Sequence, residues 1–122
     1  MASARKVDSE ISMSDGPYLA IWEFEIKPES RAQFEEIYGP DGGWARLFRQ
    51  SPDYRETKLI RDLTRPGRYL TLDSWSSREA FHSFKQAHAA QYAKLDKQCE
   101  SLTEREAKVG EFEEVAFKEI ES

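Results

Sequence analysis

The chain has 122 residues and a formal net charge of −5, from 18 basic and 23 acidic side chains. This length suits one domain with one core, and the acidic balance argues against nucleic acid as a partner. No apolar stretch is long enough to span a membrane and the amino terminus lacks the apolar core of a secretory signal, so we expect a cytoplasmic protein without membrane contact.

The first segment of the chain lacks the patterns of regular structure. Residues 1–16 combine Ser, Ala and charged side chains without periodicity, which predicts a disordered tail before a single domain over 17–122. The segment 18–27 then alternates between apolar and polar residues. It predicts a first strand with one apolar face, formed by Ala20, Trp22, Phe24 and Ile26.

Two helical segments are predicted after this strand. Pro28 ends the strand, and Ser30 with Gln33 has the spacing of a capping box, which predicts a helix that ends at Gly39. A glycine-rich break follows. Apolar residues at helical spacing then predict a second, short helix at 44–48.

The next elements are a hairpin and a long helix. The segments 54–63 and 69–75 are rich in strand-forming residues and are separated by a turn with Pro and Gly, which predicts two antiparallel strands. Ser76 and Glu79 have capping-box spacing. Apolar residues then recur at intervals of three and four over 81–102, which predicts one continuous helix.

A last strand is predicted over 108–117, with a bulge or kink at Gly110. The element order is then βαββαβ, which predicts an α+β, ferredoxin-like fold with a four-stranded antiparallel sheet and its helices on one face. The other face carries Leu19 and Ile21. Because apolar side chains on a second sheet face are usually buried against another surface, we expect a homodimer.

Four stretches of the segment 18–112 have a characteristic sequence: FEIKP at 24–28, WARLF at 44–48, YLTLDSW at 69–75 and SREAF at 77–81. With these stretches the segment resembles an antibiotic biosynthesis monooxygenase domain. The resemblance implies a dimeric α/β barrel, in which two sheets pack face to face across a two-fold axis. It also implies a cavity between each subunit's sheet and its helices.

The resemblance leaves the chemistry open. The family includes oxygenases of aromatic polyketides that use no metal or flavin, haem-degrading enzymes, quinol oxygenases and proteins with no demonstrated activity, so fold does not settle function. The haem-degrading branch uses an Asn, a Trp and a His at positions that hold Trp22, Phe84 and His88 here. Two of the three differ, which argues against haem degradation.

Aromatic residues are the candidate substrate-binding groups. Trp22, Trp75, Phe84 and Tyr92 are placed to wall a flat pocket for a planar ligand. Trp44 follows two glycines, which permit the angles of a hinge, and it is a candidate lid over that pocket. The alternatives are ordinary core packing for the first four and a helix anchor for Trp44.

His88 and Arg61 are the candidate catalytic residues. His88 lies on the apolar stripe of the predicted long helix, where it could act as a base; the alternative is a core histidine that bonds a backbone carbonyl. Arg61 could bind an anionic or enolate oxygen. The alternative for Arg61 is a cross-strand ion pair with Asp73.

The sequence predicts neither a metal site nor a cofactor. The one cysteine, Cys99, has no metal-ligand partner, and the two histidines lie on different helix faces. Together with the family resemblance, this makes a cofactor-independent monooxygenase for a small hydroquinone-like or phenol-like aromatic substrate the leading hypothesis. The alternatives are a non-catalytic ligand-binding or stress-related dimer, and an isomerase or cyclase.

Overall fold

The structure is a computed structural model that describes residues 17–115, so the tail predicted for 1–16 lies outside the described residues. This part of the chain forms four strands and four helices. They are β1 (Tyr18–Ile26), α1 (Arg31–Tyr38), α2 (Gly43–Phe48), β2 (Tyr54–Arg61), β3 (Arg68–Trp75), α3 (Arg78–Ala87), α4 (Ala89–Cys99) and β4 (Thr103–Glu113).

The four strands form one antiparallel sheet in the order β2-β3-β1-β4. The two central strands, β3 and β1, belong to the two halves of the chain, which is the arrangement that a split βαβ pattern produces. The α+β, ferredoxin-like fold predicted from the element order is therefore confirmed. Leu19 of β1 lies opposite Phe112 of β4 and Ser74 of β3.

The core lies between the sheet and the helices and consists largely of aromatic side chains. Phe34 of α1 stacks on Tyr38 with ring centres 4.3 Å apart, and its ring centre lies 4.9 Å from that of Tyr69 on β3. Trp75, at the end of β3, is fully buried. Each of these large rings removes much apolar area from water, so a few of them suffice for a small core.

The predicted long helix is in fact two helices that meet at His88. The backbone of His88 has φ −116° and ψ 30°, which is not helical, and α3 ends there before α4 begins at Ala89. The apolar spacing of three and four continues through the break, which is why the sequence did not indicate it.

Two helix caps differ from the prediction. Ser77, and not Ser76, caps α3, because its side chain accepts a hydrogen bond of 3.0 Å from the amide of Ala80. Ser30 makes no side-chain cap, since a short 3₁₀ turn at Pro28–Ser30 already leads into α1. Pro28 at the first position of that turn is well suited to start it.

The last strand begins five residues earlier than predicted, at Thr103 instead of Lys108. Its first part is mostly charged and polar and lacks the apolar alternation of a strand, so the pairing with β1 had no signal in the sequence. The predicted irregularity beside Gly110 is confirmed, because Ile21 faces Gly110 while Trp22 faces Lys108. The predicted end of this strand, at residue 117, lies outside the described residues.

The sheet face that points away from the helices is partly apolar. Cross-strand partners share a face, so Ile21 and its partner Leu72 lie on it, as do Ile60 and Leu70. Phe112, opposite Leu19, also lies there, and Ile60 and Phe112 are 46% and 44% exposed. We call this surface the outer apolar face.

Glu111 of β4 is a hub of hydrogen bonds that joins the sheet to α3. Its carboxylate accepts hydrogen bonds from Tyr18 Oη at 2.9 Å, Arg78 Nε at 2.8 Å, His82 Nε2 at 3.2 Å and Lys108 Nζ at 2.6 Å. These donors, with Lys108 the most important, hold the pKa of Glu111 far below its usual range.

We expect Glu111→Gln to lower the unfolding temperature at neutral pH, because the amide cannot accept as many charge-assisted hydrogen bonds. A depressed pKa stabilises the fold above the unfolded pKa and less below it, so the loss should shrink as the pH falls below 4.5, the ordinary value for Glu. Thermal unfolding followed by circular dichroism measures this. Glu113→Gln on the same strand is the control, and an equal effect of the two changes would contradict the assignment.

Candidate functional site

A cavity of about 260 Å³ lies between the inner face of the sheet and helices α1 to α4. Its inner wall is buried and mostly aromatic, while its rim is more exposed and carries charged groups. The residues that line it are Trp22, Phe24, Tyr38, Trp44, Phe48, Thr57, Thr71, Asp73, Lys85, Tyr92, Asp96 and Glu106.

The strands place the polar groups of the cavity by register. Thr57 of β2 and Asp73 of β3 are direct cross-strand partners, so their side chains lie on the same face. Thr71 lies two residues before Asp73 and therefore points to the same side. On β4, Glu106 is the partner of Phe24, whose ring is buried under the helices.

Asp73 is the most unusual group in the cavity. Thr57 Oγ1 donates a hydrogen bond of 2.7 Å to Asp73 Oδ1, and the Tyr54 hydroxyl lies 2.7 Å from Thr57 Oγ1. Thr57 has one hydroxyl proton and gives it to Asp73, so the Tyr54 hydroxyl is the donor in the second bond. Oδ2 of Asp73 has no hydrogen-bond partner among residues 17–115.

Burial changes the ionisation of Asp73. The residue as a whole is half-buried because it opens into the cavity, but its carboxyl group is closely surrounded by protein atoms. Desolvation raises the pKa of Asp73 to about 6, although the hydrogen bond from Thr57 acts in the opposite direction. At neutral pH the group is therefore a carboxylate that takes up a proton more readily than an ordinary aspartate.

Aromatic rings form the walls around this carboxyl group. The ring centres of Trp44 and Tyr92 are 4.9 Å apart in an edge-to-face arrangement, and Phe48 lies 5.9 Å from Trp44. Trp44 is 8% exposed, and its indole N–H has no hydrogen-bond acceptor among the described residues. The half-buried ring of Trp22 completes the wall on the side of β1.

Charged groups occupy the rim. Asp96 follows Tyr92 by one turn of α4, and Glu106 approaches from β4. Burial raises the pKa of Glu106 above its usual value, and repulsion by Asp96 and Glu100 raises it further. The ammonium group of Lys85 lies 5.1 Å from the ring centre of Tyr92.

Of the five residues predicted to bind substrate, Trp22, Trp44 and Tyr92 line the cavity, whereas Trp75 and Phe84 do not. Trp75 is packed in the core, with its ring centre 5.2 Å from that of Phe84. The alternative of ordinary core packing therefore describes the surroundings of these two residues.

The two predicted catalytic residues lie outside the cavity lining. His88 stacks on Phe84 with ring centres 4.3 Å apart, and its Nδ1 lies 3.3 Å from the Phe84 carbonyl oxygen. This geometry matches the core-histidine alternative.

Arg61 is exposed and donates a hydrogen bond of 3.1 Å to Glu35. The ion pair predicted between Arg61 and Asp73 is wrong, because Asp73 lies opposite Thr57 and Arg61 lies opposite Tyr69.

Gly42, two residues before Trp44, is required for close packing. A Cβ atom on Gly42 would collide with the carbonyl oxygens of Glu36 and Ile37 at the end of α1. Gly42 has φ −85°, so it does not need the left-handed region. The short distance between α1 and α2 places Trp44 in the cavity wall, which agrees with its alternative interpretation as a helix anchor.

Sequence reasoning missed the six non-aromatic polar side chains of the cavity, which are Thr57, Thr71, Asp73, Lys85, Asp96 and Glu106. The available signal was the alternation of β3, in which Asp73 shares a face with the buried Tyr69 and Trp75. An acidic residue at an inward position of a central strand is costly unless it has a partner or a function.

Within 17–115, no three His, Cys, Asp or Glu side chains are close enough together to hold a metal ion. None of the described helices is both long and apolar enough to cross a membrane.

Comparison with known proteins identifies similar chains by family and by fold. The model of the family described as antibiotic biosynthesis monooxygenase matches residues 17–94. No curated protein is significantly similar to this chain in sequence.

Solved structures show the same fold at low sequence identity. SnoaB, a cofactor-independent oxygenase from Streptomyces nogalater, has a TM-score of 0.62 and 17% identity, covering 88% of this chain and 99% of its own. A candidate antibiotic biosynthesis monooxygenase from Deinococcus radiodurans has a TM-score of 0.65 and 15% identity, over 86% and 99%. PA3566 from Pseudomonas aeruginosa has a TM-score of 0.58 and 14% identity, over 87% and 100%.

Proposed function

The chain belongs to the antibiotic biosynthesis monooxygenase family, and from this premise we propose that it oxygenates a small phenol-like aromatic compound without a cofactor. The observation that carries the proposal is Asp73, a carboxyl group with a pKa of about 6 inside a cavity with aromatic walls. The aromatic rings would hold a planar substrate, and Asp73 would be its base. Asp73 replaces His88 as the proposed base, and Arg61 has no part in this proposal.

Three residues of the cavity have separate roles in the proposed reaction. Asp73 Oδ2, which has no partner among the described residues, would accept the proton of the substrate. Thr57 would hold the carboxyl group in place through Oδ1. Lys85 is the cationic side chain among the lining residues, and it would stabilise the negative charge that develops on the substrate oxygen.

An anthrone-type substrate shows how atoms and electrons balance in the proposed oxygenation. Its ring carries a CH₂ group opposite the oxygen-bearing carbon, and loss of one proton to Asp73 gives an electron-rich anion. The anion passes one electron to dioxygen, the two radicals combine into a peroxide at that carbon, and loss of water leaves a carbonyl group. One oxygen atom thus enters the product and the other leaves as water with the two hydrogens, so the substrate is the sole reductant.

The two alternatives to an oxygenase are a non-catalytic binding protein and an isomerase or cyclase. A non-catalytic protein that fills its cavity with its own aromatic side chains would leave no space there, but Trp22 and Tyr92 both line an open cavity. That observation favours a ligand site without deciding whether the ligand reacts. An isomerase or cyclase would use the same base but would consume no oxygen.

Dioxygen uptake tests the proposal against both alternatives. We expect the wild-type protein to consume dioxygen with at least one member of a panel of anthrones and hydroxylated naphthalenes, in the presence of a metal chelator. Heat-denatured protein is the control for autoxidation. Substrate turnover without uptake would point to an isomerase or cyclase, and binding without turnover to a non-catalytic protein; either result would refute the oxygenase.

We further propose that two copies of the chain pair through the outer apolar face. The support is the exposure of Ile60 and Phe112 on a surface that also carries Ile21 and Leu72. Ion pairs border it, among them Arg68 Nε with Glu23 at 2.6 Å. An apolar centre with a charged rim is the usual composition of an interface between subunits.

Replacing Ile21 with Glu should convert the protein from twice the mass of one chain to a single chain in light scattering. The new carboxylate would be buried without a partner at the centre of the paired faces. Leu63→Glu is the matched control, because Leu63 is 92% exposed in the loop between β2 and β3 and lies off the face. A wild-type monomer, or a dimer that Ile21→Glu leaves intact, would contradict the pairing.

A further inference from the structure

Three carboxyl groups of the cavity have no ion-pair partner among the described residues. They belong to Asp73, Asp96 and Glu106. Elsewhere in residues 17–115 many carboxylates are paired, as Glu23 and Asp62 are with Arg68, and Glu25 is with Arg105. Other carboxylates outside the cavity, such as Glu36 and Glu79, also lack an ion pair within residues 17–115, so what sets these three apart is that they line one space.

The lining cation does not neutralise this charge. The ammonium group of Lys85 lies over the rings of Tyr92 and Phe81, at 5.1 and 5.5 Å from their centres, and makes no ion pair within residues 17–115. Three acidic groups thus face one basic group around the same space. Each further negative charge brought into the cavity would be repelled.

Ionisation within the cavity reflects this excess of negative charge. Burial raises the pKa of Tyr92 to about 12, and the charges of Asp73, Asp96 and Glu106 add to the rise. These carboxylates lie on β3, α4 and β4, and all three act on the same phenol.

The aromatic walls, like the carboxylates, favour a cationic ligand. The faces of Trp22, Trp44 and Tyr92 are negative because of their π electrons and attract organic cations. Asp96 and Glu106 lie at the exposed rim, while the rings and Asp73 lie further in. A ligand with a planar ring and a cationic group at one end would satisfy both parts of this arrangement.

We infer that the ligand of this cavity is an aromatic compound that carries a protonated amine, with its ring against Trp22, Trp44 and Tyr92 and its ammonium group at Asp96 and Glu106. The inference rests on the proposed function only in taking this cavity as the substrate site. It excludes carboxylated, sulfated and phosphorylated aromatic compounds as preferred substrates, because these would add negative charge to the lining.

A series of naphthalene probes of equal size tests the inference by calorimetric titration near pH 7.5. The probes are 2-(aminomethyl)naphthalene, which is a cation, 2-(hydroxymethyl)naphthalene, which is neutral, and 2-naphthoate, which is an anion. We expect the amine to bind about three-fold or more tightly than the alcohol, as one or two exposed ion pairs would provide. The naphthoate should bind most weakly, and added salt should reduce the difference between amine and alcohol.

Charge-neutralising variants assign the preference to its residues. Glu106→Gln and Asp96→Asn should each weaken binding of the amine more than binding of the alcohol, so that the ratio of the two affinities moves toward one. Glu104→Gln is the matched control, since Glu104 is on the same strand but does not line the cavity. Circular dichroism checks that all three variants fold.

Each outcome decides for or against the inference. Equal binding of amine and alcohol, tighter binding of the naphthoate, no binding of any probe, or a preference that the two cavity variants leave unchanged would overturn it. The proposed function fails separately: a protein that prefers the amine but consumes no dioxygen with any amine-bearing phenol is a binder of aromatic amines. An enzyme that oxygenates neutral phenols and lacks the preference would retain the proposed function alone.

Discussion

We expect Asp73→Asn to lower the rate of dioxygen uptake about a hundredfold or more, the usual loss when a general base is removed. The amide is almost the same size as the carboxyl group, and its oxygen still accepts the hydrogen bond from Thr57. The fold should therefore persist while the base is lost. Steady-state rates at saturating substrate, with circular dichroism on the same samples, provide the measurement.

The pH profile of the same reaction gives an independent readout. A base must be ionised to act, and Asp73 has a pKa of about 6, so the wild-type rate should fall as the pH decreases through 6. The hydrogen bond from Thr57 lowers this pKa, so Thr57→Val should move the fall in rate to higher pH. A wild-type profile without this step, or an Asp73→Asn variant with unchanged rate, would exclude Asp73 as the base.

We expect Trp75→Ala to destabilise the fold by about 3–5 kcal/mol, which is typical for the loss of a buried Trp or Phe side chain. Trp75 is fully buried, and its ring lies within 5.3 Å, centre to centre, of both Phe48 and Phe81. This loss is comparable with the whole stability of many small domains, so the variant should unfold at a much lower denaturant concentration. Urea titration followed by tryptophan fluorescence measures the change.

Trp22→Ala is the matched variant, because Trp22 is half-buried and lines the cavity. Its expected effect is a smaller loss of stability and a clear loss of ligand binding. If Trp75→Ala instead remained as stable as the wild type and lost binding, Trp75 would belong to the site, as the sequence alone suggested.

The fold was predictable because β1 and the order of the elements carry strong local signals. The alternation that places Phe24 and Ile26 inward is visible in the sequence, and both residues are buried. The break at His88 was not visible, since it changes the backbone without interrupting the apolar spacing. The early start of β4 at Thr103 was also hidden, because its pairing with β1 is a long-range contact between mostly polar residues.

The site was less predictable because it depends on strand register. An Arg61 and Asp73 pair would place the centre of the hairpin at Gly67, halfway between them, whereas the observed Arg61 and Tyr69 pair places it at Arg65. Gly67, with φ of 89°, supplies the left-handed residue of that turn. This shift puts Thr57, and not Arg61, beside Asp73, and no local pattern in the sequence determines it.

Direct measurement of the ionisation of Asp73 is the closest test of the central claim, that this carboxyl group is the base of an aromatic ligand site. Carbon-13 NMR of the labelled side-chain carboxyl group, assigned with Asp73→Asn, reports its pKa with and without a bound hydroxylated naphthalene. We predict a pKa of about 6 in the free protein and a change in both the resonance and the pKa when the ligand binds. An ordinary aspartate value near 3.8, with no response to any ligand that binds, would contradict the account.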